Sequence, residues 1–245
     1  IISHSAFELN AQVFTGDFTV DGTTLVVDST NNRVGVGTNS PAYTLDVSST
    51  VQIRAGDSLR LQNAAGNAVA TINCDGAGSN SDLKFTTAGA EVMRIDNTGA
   101  VTKPLQPAFQ AKVSSQINNM TVGGSSNTLI PFASEIFDQN ADYNTNGTFT
   151  APVAGKYWLS FFIRLESIDT ATTTYDLILD TSNRNYTHRF DPDYGDSDTN
   201  FYHVNISVLA DMDASDTAVV RYYVDGGTAQ TDIDSDSNFM GYLAC

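Results

Sequence analysis

Basic charge is what this chain lacks most: 12 Lys and Arg stand against 28 Asp and Glu, a formal net charge of -16 over 245 residues. A surface of that sign repels phosphate backbones and anionic lipid, so nucleic acid and membrane surfaces are excluded as default partners. Charged residues of either sign are only 16% of the chain, and the polar remainder is rich in Ser, Thr, Asn and Gly. Hydrophobic residues at 41% suffice for a core, which excludes wholesale disorder. No run nears the roughly 20 apolar residues of a membrane helix, so membrane insertion is not expected, and the opening residues do not read as a secretory signal. The only two cysteines, Cys74 and Cys245, sit far apart, and their spacing implies no disulfide framework. They read as free thiols, with a staple, interchain included, as the alternative. Apolar residues at three-and-four spacing over several turns are nearly absent, which excludes a helical bundle. The chain opens at Ile1 rather than Met, which implies an upstream part.

What is present is a succession of short β-rich runs broken by Gly, Asn, Asp and Ser. Phe18-Thr19-Val20, then Asp21-Gly22, then Thr24-Leu25-Val26-Val27 read as strand, turn, strand. Further strands are expected at 33–37, 43–47, 51–54, 59–61, 68–72, 83–85 and 92–95. These runs are too short and Gly-rich to bury a core alone. One copy would be a ribbon with a poorly covered face and open edges. Wrapping several copies so that their apolar stripes share an axis solves the problem, and an obligate oligomer is the expectation; an independent small β domain is the alternative. A faint echo links Val27-Asp28-Ser29-Thr30 to Ile95-Asp96-Asn97-Thr98: an apolar residue, an Asp, a polar turn, then a new strand.

Composition changes near Lys103-Pro104-Leu105-Gln106-Pro107, where two prolines make a short stiff linker. Residues 1–103 are read as a fibrous β stalk and 104–245 as a second domain. The single Trp (Trp158) and most aromatics follow the linker, in strands at the regular spacing of a sandwich or barrel.

Two stretches carry resemblances. Asn32-Arg33-Val34-Gly35-Val36-Gly37-Thr38-Asn39-Ser40-Pro41 with Leu45-Asp46-Val47 resembles a segment of bacteriophage tail fibres, and Glu91-Val92-Met93-Arg94-Ile95-Asp96-Asn97-Thr98-Gly99 looks like its usual companion. In such fibres these segments lie in a trimeric stalk. The Val-Gly-Ile-Gly pattern that often follows the companion is missing here, as is the self-cleaving chaperone that often ends such fibres. Beyond the linker, Pro107-Ala108-Phe109-Gln110-Ala111, then Phe149-Thr150-Ala151-Pro152-Val153-Ala154-Gly155-Lys156-Tyr157-Trp158-Leu159-Ser160-Phe161, then Phe239-Met240-Gly241-Tyr242-Leu243 resemble the head of complement component 1q and the tumour-necrosis-factor relatives. That resemblance implies a ten-stranded jelly roll whose last strand pairs with its first, and a homotrimer. The whole is expected to be all-β: a trimeric stalk, intertwined or prism-like, followed by a jelly-roll β-sandwich head. Tyr157 and Trp158 alternate along one strand, and Trp158 is expected to be the buried one.

No enzyme signature stands out. His4, His188 and His203 have no fixed relation to a Ser or Cys nucleophile, and His203 reads as a surface or interface residue. Gly35 and Gly37 have no following helix to hold a phosphate. Acidic clusters carry more weight. Counting hairpins back from a last strand paired with the first places the connections 166–172, 191–199 and 225–237 at the tip, away from the stalk. Asp169, Asp193, Tyr194, Asp196 and Asp198 are therefore the candidate receptor-binding residues. Asp232, Asp234 and Asp236 alternate oxygen ligands as a calcium loop begins, without the Gly and distal Glu of an EF-hand. Calcium at the trimer tip is one reading; a solvated acidic turn is the other. The function read from this build is a virion receptor-binding fibre. It would attach to other tail proteins through an upstream part and adsorb to a host surface receptor, with polysaccharide among the candidates. A secreted cellular adhesin or matrix protein is the alternative, and a fibre-borne glycanase with an intersubunit site the weaker one.

Overall fold

Two residues in left-handed backbone, Asp21 (φ 51°) and Gly22 (φ 64°), turn β1 (Phe18–Val20) back onto β2 (Leu25–Asp28). Asp28 closes the next hairpin: its Oδ1 accepts the Thr30 and Asn31 N–H groups at 3.1 and 3.0 Å, and β3 (Arg33–Val36) returns along β2. β4 (Leu45–Val47) then joins β3 in parallel. The Gly-x-Gly of this segment makes a turn possible. A Cβ on Gly35 would stand 2.6 Å from the Thr38 carbonyl oxygen, and Gly37 has φ 77° with Ser48 Oγ 2.5 Å from where a Cβ would be. The structure is a computed structural model that describes residues 16–54, 57–66, 68–75, 82–124, 127–193 and 197–245, and its regular elements among these are all strands.

A second sheet is an antiparallel meander of β5 (Ser58–Gln62), β6 (Ala68–Asp75), β7 (Asp82–Thr87), β8 (Ala90–Ile95) and β9 (Val101–Thr102). Asp96 turns β8 into β9 as Asp28 turns β2 into β3, its Oδ1 accepting Thr98 and Ala100 N–H at 2.8 and 2.9 Å. The echo between the two Asp segments is thus one turn device used twice. The strand expected at 51–54 is not formed; Val51 and Ile53 are exposed there.

Cross-strand register sorts both sheets by face. In the first, Phe18, Val27, Val34 and Leu45 form one row and Val20, Leu25, Val36 and Val47 the next. In the second, Leu59, Ile72, Phe85 and Met93 form one row and Cys74, Leu83, Ile95 and Val101 another. The opposite face of the second sheet carries Arg60, Thr71 and Thr86 in one row and Asn73, Lys84, Arg94 and Thr102 in another.

Beyond residue 107 two sheets pack face to face. One has the order β12 (Ser134–Asp138), β10 (Ala108–Lys112), β21 (Asn238–Leu243), β15 (Gly155–Ile168) and β18 (Thr199–Met212), with β20 (Asp232–Ile233) also on β15. The other has β13 (Tyr143–Asn144), β14 (Thr148–Thr150), β19 (Thr217–Gly226), β16 (Thr172–Thr181) and β17 (Asn185–Phe190), with β11 (Thr128–Leu129) also on β19. The first strand pairs with the last, Phe109 opposite Gly241, as expected. Phe109, Phe132, Phe149, Phe161, Tyr175 and Phe239 fill the space between the sheets with essentially no exposure.

The tryptophan expectation is reversed. Tyr157 is wholly buried and its hydroxyl donates to Val153 O at 2.8 Å. Trp158 lies on the outer face, stacked on Tyr242 with ring centroids 5.4 Å apart. Strand parity decides it: Leu159, Phe161, Ile163 and Leu165 point inward, so Tyr157 points inward with them. The two residues do face opposite sides, as alternation requires.

Candidate functional site

β15 spans 14 residues, so roughly 40 Å separate its two ends. At Gly155 it meets the chain end, where Lys156 N–H donates to Cys245 O at 2.7 Å. The linker is fastened at this same end: Gln139 Nε2 donates to Lys103 O and Gln106 O at 2.7 and 2.9 Å, and Gln106 Nε2 donates to Leu243 O at 2.6 Å. At Ile168 the strand enters the opposite end of the sandwich. Every neighbouring pair in both sheets is antiparallel, so the connections β15–β16, β17–β18 and β19–β21 all gather there. The three acidic connections placed at the tip by strand counting are the three found there.

They are joined by their carboxylates. Asp169 is nearly buried; its Oδ1 accepts Ala171 N–H at 2.8 Å, and its Oδ2 accepts Thr228 N–H and Oγ1–H at 2.6 and 2.9 Å. Gly227 makes room, since its φ is 70° and a Cβ there would lie 2.6 Å from Asp169 Oδ2. Asp198 Oδ1 accepts Thr170 N–H and Oγ1–H, both at 3.1 Å, and its Oδ2 accepts Gln230 Nε2–H at 2.8 Å. These bonds hold both carboxyls below the usual carboxylate range, led by the Thr228 amide for Asp169 and the Gln230 side chain for Asp198. Beneath them Tyr175 OH and Thr231 Oγ1 lie 2.6 Å apart in the core. Asp193 is exposed, and its N–H donates to Asp191 Oδ1 at 3.1 Å. Tyr194 and Asp196 lie outside the described residues.

A second cluster centres on Arg164, an outward residue of β15. Its Nε and Nη2 donate to Glu166 Oε1 at 3.1 and 2.5 Å, its Nη2 to Asp234 Oδ2 at 3.1 Å and its Nη1 to Asp236 Oδ2 at 3.2 Å. Its guanidinium carbon lies 5.6 Å from the Phe201 ring centroid. Glu166 foremost, then Asp234 and Asp236, raise the arginine's affinity for its proton. Asp232 is engaged elsewhere, accepting Gln116 Nε2–H at 2.8 Å and Asn119 N–H at 2.7 Å. The alternating acids therefore do not converge within one chain. A turn in which Ser237 N–H donates to Asp234 O at 3.0 Å interrupts the extended run that alternation presumes. Among the described residues no group of three or more His, Cys, Asp or Glu side chains is spaced to hold a metal ion. Arg164 itself supplies the positive charge among Glu166, Asp234 and Asp236. Sequence reasoning missed Arg164 and Glu166; the available signal was two charges set at alternate positions into the apolar run Phe161-Phe162-Ile163-Arg164-Leu165-Glu166.

The outer face of this same sheet changes character along its length. Near the linker, Tyr242, Trp158 and Leu209 form a cross-strand row, with Leu209 60% exposed. Toward the tip Phe162 packs by His203, rings 5.1 Å apart, and Phe201 is 61% exposed. Between these two groups Ser160 and Ser207 bond to each other, hydroxyl to hydroxyl, at 2.8 Å.

The C1q domain family matches residues 108–244, more than half of the chain. This chain belongs to the C1q domain family. Among solved structures it is similar to the globular domain of zebrafish complement 1qA protein, at 17% identity and TM-score 0.41, covering 57% of this chain and 98% of that one. No curated protein matches it. The C1q domain accounts for the sandwich and its tip. The two sheets before residue 103 lie outside the matched residues.

Proposed function

We propose that this chain is a non-catalytic, extracellular binding protein: a homotrimer whose C1q heads meet a receptor or glycan through their tips, displayed on a β stalk. The observation that carries the reading is the division of the head's surface. One end holds the linker, one broad sheet wall is aromatic and suits neighbouring copies, and the far end is a polar platform built from three connections. A secreted adhesin or matrix protein is the setting that C1q membership favours. The segments 32–41 and 91–99 favour the second setting, a virion tail fibre adsorbing to its host; labelling intact particles with an antibody to the head decides between them.

Asp193, Tyr194, Asp196 and Asp198 would contact the receptor, with Asp169 holding the platform from below. Calcium enters this reading as a cation shared between copies. Asp236, whose side chain is 72% exposed, is the acid best able to reach it, beside Asp234 and Asp232. The test is binding of the purified trimer to target cells or immobilised polysaccharide, with and without Asp193→Asn together with Tyr194→Ala. Loss of binding with melting unchanged supports the tip. Binding that survives overturns it and directs the search to the outer walls. Shortening of the polysaccharide during incubation would instead support a glycanase. Melting raised by calcium in wild type, but not in Asp234→Asn/Asp236→Asn, supports the shared cation, since a ligand of the folded form stabilises it. Melting indifferent to calcium removes it.

A further inference from the structure

Acids crowd the tip, yet the side chain that bridges its three connections is a neutral one. Gln230 is half-buried in the β19–β21 connection. Its Nε2 donates to Asp198 Oδ2 of the β17–β18 connection at 2.8 Å and lies 3.4 Å from Ser167 O, at the end of β15. An amide nitrogen carries two N–H groups, so one side chain serves both acceptors. Thr228 Oγ1 lies 3.3 Å from Gln230 Oε1 and 2.9 Å from Asp169 Oδ2, which ties the amide to the second tip carboxylate. The backbone of Ser167 is shaped for this contact. The β15–β18 register runs from Glu166 opposite Phe201 to Ile168 opposite Thr199, and between them Ser167 takes φ 54°. Its carbonyl oxygen also accepts Thr231 Oγ1–H, at 3.3 Å. Left-handed backbone at a serine is uncommon and persists where neighbours hold it.

Asp198 receives three donors: Thr170 N–H, Thr170 Oγ1–H and Gln230 Nε2–H. A carboxylate offers about four acceptor sites, so one remains, on Oδ2. We infer that Gln230 is the positioning residue of the tip, fixing Asp198 so that this last acceptor meets a hydroxyl or ammonium donor of the receptor. The inference rests on the tip as the binding face and adds which residue orients its carboxylate. Asp198 is exposed, so without the amide water competes for Oδ2 and the carboxylate is free to turn. Asp169 is the other charge in this network, near enough for Asp198 to act on it. Neither acid can donate to the other while both are ionised, so the neutral amide is what lets the three connections meet.

The experiment uses the full chain. Gln230→Glu is nearly isosteric and sets a carboxylate against Asp198, so the tie breaks at neutral pH. Gln230→Glu combined with Asp198→Asn restores an amide–carboxylate bond with donor and acceptor exchanged. The reporter is hydrogen exchange at the Thr170 amide, which bonds Asp198 directly, read as a ratio to wild type. It is expected to quicken roughly tenfold in Gln230→Glu and to return to wild type in the double variant. The defect of Gln230→Glu should fade toward about pH 4.5, because two adjacent carboxylates retain a proton above the ordinary glutamate range and the protonated one donates. Gln230→Ala, which adds no charge, repeats the exchange comparison should Gln230→Glu unfold the tip. Adsorption to target cells should fall about tenfold in Gln230→Glu at neutral pH, and stay low in the double variant, where residue 198 is oriented but uncharged. Exchange unmoved by Gln230→Glu and Gln230→Ala, or not restored in the double variant, overturns Gln230 as the positioning residue whatever adsorption does. Exchange as expected with adsorption intact in Gln230→Glu overturns the contact through Asp198. Asp193→Asn with Tyr194→Ala then separates the two readings: if that variant abolishes adsorption the tip stands without Asp198, and if it does not the tip itself fails.

Discussion

Tyr157 and Trp158 differ by one position and by which side of a sheet they serve. Tyr157 is enclosed by the core and hydrogen-bonded to Val153 O, so Tyr157→Ala should cost the head about 3–5 kcal/mol, as removal of other buried aromatics does. Trp158→Ala should lower the denaturation midpoint little in dilute, dissociated protein, yet weaken assembly. Denaturation followed at several protein concentrations separates the two. A Trp158→Ala midpoint as low as that of Tyr157→Ala at every concentration would contradict the placement. Asp169 carries a pH signature. Hydrogen bonds led by the Thr228 amide hold its pKa below the ordinary 3.8. A carboxyl depressed in the folded state contributes stability that is complete above its unfolded pKa and lost as pH falls through the folded one. The wild-type head should therefore weaken below about pH 4, whereas Asp169→Asn should be weaker at neutral pH and flatter on the acid side. Urea midpoints measured from neutral pH downward read both slopes.

Single positions at strand crossings set how closely whole elements approach. Gly241 lies between Phe109 of β10 and Leu159 of β15, where a Cβ would stand 3.0 Å from Trp158 O and 2.5 Å from Leu159 Cδ2. Gly241→Ala should push β21 from its neighbours and destabilise the head by about 1–3 kcal/mol, the usual cost of overpacking. A thermal midpoint within error of wild type would show that the strands can part without loss. The linker is a second element-scale case. Its prolines suggest stiffness, but what anchors it is Gln139, a residue more than thirty positions away, bonded to Lys103 O and Gln106 O. Gln139→Ala should speed hydrogen exchange at 103–106 several-fold while leaving strand protection in the head unchanged. Equal exchange in both proteins would mean that the linker is held by its prolines alone.

Charge is the property of the molecule as a whole. In the proposed homotrimer, three chains of net charge -16 would repel each other over the Debye length, about 10 Å at 0.1 M salt. Association through the aromatic wall, as proposed, would have to overcome that repulsion, so added sodium chloride should slow subunit exchange. Faster exchange in salt would instead show an interface held by ion pairs. Arg164 and Arg94 each bind more than one acid.

How much of this was legible follows from what each feature depends on. Alternation and turn chemistry are local, so the strands, the Asp21-Gly22 hairpin and the paired Asp28 and Asp96 turns were readable from residue order, whereas the pairing of first strand with last came from the resemblance of the head to a known family. The grouping of the three acidic connections at one end followed from strand parity once that first–last pairing was taken from the resemblance. The absent strand at 51–54 was not readable, because a strand exists only where a neighbour accepts its hydrogen bonds. Nor was the inward side of Tyr157 and Trp158: alternation says that adjacent residues oppose, and only the second sheet says which side is core. The acids at 232, 234 and 236 alternate in sequence, yet their partners are Gln116, Asn119 and Arg164, contributed by distant segments that only the packed sandwich brings near. Residue order determined the local hydrogen-bonding vocabulary and the polarity of each strand face. The tertiary structure decided which face met a partner, because burial is a property of neighbours and not of the residue itself.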